Sequence, residues 1–144
     1  MNELAFLFVP ITGTMDNRLS FEPPAQDDFV IVSSTEVAAI LVDSNDEEAV
    51  HIAANTFADD VERVSGRRPT VHVDKVPSGA GSTIIAATTG SHLFGTHKAP
   101  DLEGKWEAFD IRVGNASDIG AALCVTGSDK VSGNRRSALT VSVA

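Results

Sequence analysis

Basic residues are scarce in this sequence: 11 Lys and Arg stand against 20 Asp and Glu, a formal net charge of −9 over 144 residues. No basic stripe is present to neutralise phosphates, which argues against a nucleic-acid partner. Arg67-Arg68 and Arg135-Arg136 are isolated pairs and read as solvated turn residues. Cysteine is represented once, by Cys124, so no internal disulfide framework can form. It lies inside an apolar run, the setting of a buried, inert thiol. Long apolar runs are lacking too; none approaches the ~20 residues that span a bilayer. Leu4–Ile11 has the hydrophobicity of a signal-peptide core, yet Glu3 precedes it and Pro10 interrupts it. An edge strand or extended segment is the expectation there, with a secretory signal as the lesser reading. Internal repeats and low-complexity segments are also missing.

What is present suits one globular domain. Hydrophobic content is 42% and charged content 22%, close to the globular average, and the length permits a real core. Residues 1–28 read as an extended N-terminal segment and connector, punctuated by Gly13, Asn17, Pro23-Pro24 and Asp27-Asp28. Phe29–Val32 and Val37–Val42 are apolar runs of strand length, the second with the composition of a strand buried on both faces. Ser44-Asn45-Asp46-Glu47 fits the Ser-x-x-Glu capping box and predicts a helix over 44–65. Val50, Ala53, Ala54, Phe57, Val61 and Val64 form its apolar stripe, opposite Glu48, His51, Asn55, Asp59 and Glu62. Gly66 supplies the left-handed stop, and Pro69 prevents resumption. Further strands are expected at Thr70–Val73, Ser82–Thr88, Trp106–Val113 and Ala121–Thr126, with one helical turn near Leu93 and a turn over Asn115–Asp118. The sum is an α+β fold, a mixed sheet of five or six strands carrying one long amphipathic helix.

Chemistry is harder to place. Gly90 and Gly95 have the spacing of a phosphate loop, but Thr96 and His97 stand where Lys and Ser/Thr belong, so a surface loop is expected. His51, His72, His92 and His97 do not group, and neither Cys nor paired carboxylates join them at metal-ligand spacing. Structural or exposed histidines are the reading. A Gly-x-Ser-x-Gly elbow is missing. Asp59, Asp60 and Glu62 sit on the wet face of the helix, while Asp101, Glu103 and Glu107 flank a loop and strand without a partner the sequence identifies. Asn115-Ala116-Ser117 is an N-glycosylation acceptor triplet only in a secreted chain. Residues alone thus nominate no catalytic, cofactor-binding or metal site.

Three segments carry a resemblance: Ala39–Asp46 running into the helix with Ala53-Ala54 and Asp60–Gly66; Leu102–Phe109, with its Glu-Gly-Lys-Trp-Glu-Ala-Phe block; and Thr126–Lys130. Together they look like the N-terminal domain of glycoside hydrolase family 115, the xylan α-1,2-glucuronidases. The resemblance covers roughly residues 30 to 130. It implies an α+β accessory domain over 29–130, similar to the second domain of bacterial hexosaminidases. In the family this domain precedes a TIM-type barrel that holds the catalytic carboxylates and sugar-binding residues. The implied activity is removal of (4-O-methyl)glucuronic acid side groups from xylan, with xylan-derived saccharides as partners of the full-length enzyme. This domain would be non-catalytic and inactive alone. No family site residue transfers to this chain; no cofactor, nucleic-acid or membrane partner is implied, and the family suggests export. The family's Gly-Ser-Asp-Lys runs on into an Arg-Gly-Thr segment, whereas Val131-Ser132-Gly133-Asn134 follows here. Gly90-Ser91-His92 also lacks the Lys often found in the family's loop. Val-Ser is the in-frame reading of a typical intron start, so 131–144 is expected to be an aberrant or disordered tail after a truncated domain. A stand-alone carbohydrate-binding or protein-interaction module is the alternative.

Overall fold

The computed structural model describes residues 6–7, 28–94, 102, 108–116 and 120–127. They build one six-stranded mixed sheet and one long helix, an α+β fold. The strands are β1 (Phe6–Leu7), β2 (Ala39–Val42), β3 (Val71–Val73), β4 (Thr83–Thr88), β5 (Phe109–Ala116) and β6 (Gly120–Gly127), and helix α1 spans Glu48–Ser65. Their order across the sheet is β1-β5-β6-β4-β2-β3. β3, β2, β4 and β6 run parallel, while β5 is antiparallel to β6 and β1 to β5. Phe6 and Leu7 of the apolar N-terminal run form β1, an edge strand of the sheet, and the rest of that run lies outside the described residues.

Alternation along the two inner strands sorts their side chains onto opposite faces. Ile40, Val42, Ile84 and Ala86 meet Val50, Ala54 and Ala58 of α1. Leu41, Ile85 and Ala87 point the other way, joining Ala122 and Cys124 beneath Val76, Leu93 and Phe94. With both faces covered, β2 and β4 must be apolar throughout, which is why they read as continuous runs. Each fully buried Leu or Ile contributes about 1.5–3 kcal/mol by leaving water. Helix α1 docks through a narrow stripe at spacings of four, and its alanines let the backbone come close to the sheet. Val64 at the far end of the expected stripe is 63% exposed. Gly66 ends the helix in the left-handed conformation (φ 74°), its amide donating to Glu62 O at 2.7 Å. Among the described residues, no helix is long and apolar enough to cross a membrane.

Four local expectations are corrected. The helix starts at Glu48, not at residue 44, and Glu47 caps it without any side-chain hydrogen bond. The capping box fails because its residues are engaged elsewhere: the Ser44 amide donates to Asp74, and the Asp46 amide closes a turn on Asp43 O. Phe29–Val32 adds no strand to the sheet. A tight turn, in which Ser33 N donates to Glu36 O at 2.8 Å, leaves one bridge between Val32 and Val37. Phe29 and Ile31 pack against the helix-side core instead. The strand expected at 106–113 lies at 109–116, so Asn115 is inside β5, paired with Leu7 and Ala121. Lastly, Arg67 and Arg68 are not simply solvated. Arg67 Nη1 donates to Ser33 O at 2.5 Å, and Arg68 Nη2 pairs with Asp59 at 2.7 Å, so together they tie the helix end to its surroundings.

Candidate functional site

Ligands of parallel sheets gather outside the carboxyl ends of strands, where successive connections leave in opposite directions. Here that place lies beside β2, whose chain leaves through α1 to β3 on one side while β4 lies on the other. The register sets Val42 beside both Val73 and Ala86. The residues just past these strand ends, Asp43, Asp74 and the 88–92 segment, are therefore brought together.

Asp43 is the anchor, with a side chain only 4% exposed. Its Oδ1 accepts from the Asn45 amide at 2.8 Å. Its Oδ2 accepts from Ser91 Oγ at 2.5 Å and from the His92 amide at 3.1 Å. His92 Nδ1 lies 2.9 Å from that same oxygen, and Nε2 lies 3.5 Å from Asp74 Oδ1. Asp74 occupies the left-handed region at φ 62°, which Asp tolerates better than most residues. Its Oδ1 accepts from the Ser44 amide at 2.7 Å. A third carboxylate, Asp46, accepts from the Thr88 amide at 2.9 Å and the Thr88 hydroxyl at 2.7 Å. Three acidic side chains thus staple the segments after β2, β3 and β4 to one another.

Burial pushes the Asp43 carboxyl up, but the Ser91 hydroxyl, the Asn45 amide and His92 outweigh it and hold it below its ordinary value. Asp74 is lowered chiefly by the Ser44 amide, with His92 adding a smaller share. Away from this edge, burial pushes the Cys124 thiol up to about 12, as an inert core cysteine requires. Asp43, Asp74 and His92 each offer one atom such that all three lie within 4.8 Å of one another, the arrangement of a possible cation site.

The structure sorts the sequence's candidates unevenly. His51 lies on α1 and His72 on β3, each half-buried and apart from the cluster, while His97 falls outside the described residues. Asp59, Asp60 and Glu62 lie on the solvent side of the helix and face Arg68 and Arg63. Asp101, Glu103 and Glu107 lie outside the described residues. The beginning of the Gly90–Gly95 segment turns its Ser91 hydroxyl and His92 amide onto Asp43. A carboxylate therefore holds the donors a phosphate would need, which counts against nucleotide binding at this turn. No paired carboxylates join the histidines at metal-ligand spacing along the sequence, yet the fold sets His92 between Asp43 and Asp74. One signal could have found them: Leu41-Val42-Asp43 and His72-Val73-Asp74 both end an apolar stretch in Val-Asp. Compared with known proteins, the chain matches no family model and no curated protein.

Proposed function

We propose that residues 29–130 act as a non-catalytic accessory domain of a carbohydrate-active hydrolase, one that removes (4-O-methyl)glucuronic acid side groups from xylan. In this reading the domain resembles the second domain of bacterial hexosaminidases and the N-terminal domain of the α-glucuronidases, and it hydrolyses nothing by itself. The reading rests on the family-like segments at 39–66, 102–109 and 126–130, with which an α+β fold of mixed sheet and single helix agrees. One observation supports the non-catalytic part. Asp43, Asp46 and Asp74 are each occupied in accepting backbone amides. A glycosidase instead needs two carboxyl groups about 5–10 Å apart and free to face a sugar from both sides.

A domain exchange tests the proposal. Residues 29–130 replace the N-terminal domain of a family 115 α-glucuronidase, and release of 4-O-methylglucuronic acid from glucuronoxylan is measured. A soluble, active chimera is expected, while the chain alone releases no uronic acid from aldouronic acids. An insoluble or inactive chimera beside an active parent enzyme would sink the accessory-domain reading. Uronic acid release by the chain alone would make it an enzyme, and retention on a glucuronoxylan column would favour a stand-alone binding module.

A further inference from the structure

We propose that Asp43, Asp74 and His92 bind one divalent transition-metal ion of the zinc type, which clasps the chain segments following β2, β3 and β4. The inference is independent of the accessory-domain reading. Its first ground is ligand chemistry. Two carboxylates with one imidazole form a mixed oxygen–nitrogen set that suits zinc and its neighbours, whereas magnesium and calcium favour oxygen alone.

The second ground is the geometry. The three donor atoms lie within 4.8 Å of one another and come from three segments well separated in sequence. Metal–ligand bonds of about 2.1 Å in a tetrahedron need donors roughly 3.4 Å apart, so the wider pairs have to close while His92 Nδ1 and Asp43 Oδ2, now 2.9 Å apart, open slightly. The side chains of Asp74 and His92, 42% and 52% exposed, have room to make that adjustment. Asp43 does not have to move. Its carboxylate is already oriented by the Asn45 and His92 amides and the Ser91 hydroxyl, the outer support that metal ligands characteristically receive.

The third ground is the gathering of negative charge at this edge. Asp43 and Asp74 both face the His92 ring, 2.9 and 3.5 Å from its nitrogens, so two carboxylates converge on one side chain. Among the described residues no Lys or Arg forms an ion pair with Asp43 or Asp74. Arg63 and Arg68 pair with acids of the helix, and Arg112 pairs with Asp110. A divalent ion would bring positive charge to these two carboxylates. Three protein ligands leave the fourth position of a tetrahedral ion to water.

The test uses the full chain stripped with a chelator and then titrated with zinc chloride, followed by calorimetry and by the histidine ring resonances. One-to-one saturation in the micromolar range is expected, with the His92 ring signals shifting. Asp74→Asn, which keeps a residue tolerant of the left-handed backbone, and His92→Gln should each weaken binding about tenfold or more. His51→Gln and His72→Gln should leave it unchanged. Saturation absent up to millimolar zinc would overturn the proposal. Equal binding by wild type, Asp74→Asn and His92→Gln would overturn it as well, as would an equal response to magnesium. Should either variant lose its native circular dichroism, the wild-type ring signals decide: a His92 shift supports the site, and its absence defeats it.

Discussion

Replacing Asp43 by Asn tests whether its carboxylate holds the edge of the sheet together. The change conserves shape and removes one acceptor together with the charge. Oδ1 now serves the Asn45 amide, and Oδ2 serves the Ser91 hydroxyl and the His92 amide. An amide group can offer its oxygen to only one of these sides, so its NH2 confronts a donor on the other. Hydrogen bonds to a charged group contribute about 1.5–3 kcal/mol each, and a buried donor left without an acceptor costs about 1–3 kcal/mol. Because these contributions share one residue they do not add fully, and the half-exposed His92 pair is discounted for solvent screening. The expected loss is about 3 kcal/mol, a large share of the ~5–15 kcal/mol that holds a domain folded. Urea unfolding followed by far-UV circular dichroism, with chelator present, measures it. Amide exchange should accelerate in residues 91–94 before it does in β4. Acidification gives an independent check. Asp43 and Asp74 are both lowered on folding, so their stabilisation is complete above the unfolded value near ~4 and is lost as pH falls through the folded value. The wild type should therefore lose stability in acid more steeply than Asp43→Asn. A cost below about 1 kcal/mol, or parallel acid profiles, would refute the assignment of Asp43 as the anchor.

Three further outcomes are expected. Thr83 Oγ1 is buried without a hydrogen-bond partner among the described residues, so Thr83→Val should raise stability by about 1 kcal/mol in the same urea assay. Gly66→Ala should cost about 1 kcal/mol, since φ is 74° there although a Cβ would meet nothing within 4 Å. Cys124, only 3% exposed and with its thiol pushed up to about 12, should ignore a disulfide reagent at pH 8 in native buffer and react promptly in denaturant.

The parts of the fold legible in the sequence are those fixed by local pattern. Ile40 to Val42 and Thr83 to Ala87 announce strands buried on both faces because both faces are in fact covered. The stripe through Val50 and Ala54 and the stop at Gly66 announce the helix, because spacing and backbone permission are properties of neighbours in sequence. The helix start was misread for the opposite reason. Ser44 has the right chemistry for a cap, but a carboxylate thirty residues away, on Asp74, takes its amide first. The candidate site was illegible on the same ground. Asp43 meets Ser91 and His92 only because parallel registry sets Val42 beside Ala86, and nothing in local spacing encodes that pairing. Charge counting did not help either, since acidic residues outnumber basic ones along the whole chain and these few look unexceptional among them.

The strand order also bears on how the chain reaches this state. Among the described strands, β5 and β6 pair antiparallel as close neighbours in sequence, through an eight-rung ladder that can zip early by local encounter, while β2 and β3 pair in parallel across the length of α1. β4 pairs with β2 and β6, and neither adjoins it along the chain: Ala39 must find Thr83, and Thr83 must find Ala122. Such pairings pay loop-closure entropy before any contact rewards it, which slows their formation. β4, buried from Thr83 to Ala87, therefore waits on long-range encounters for both of its partners. Until then its Thr-Ile-Ile-Ala-Ala segment offers an apolar surface to other copies. Refolding yield should fall with protein concentration, and a charge introduced there to prevent association would have to be one that the finished core could still accommodate.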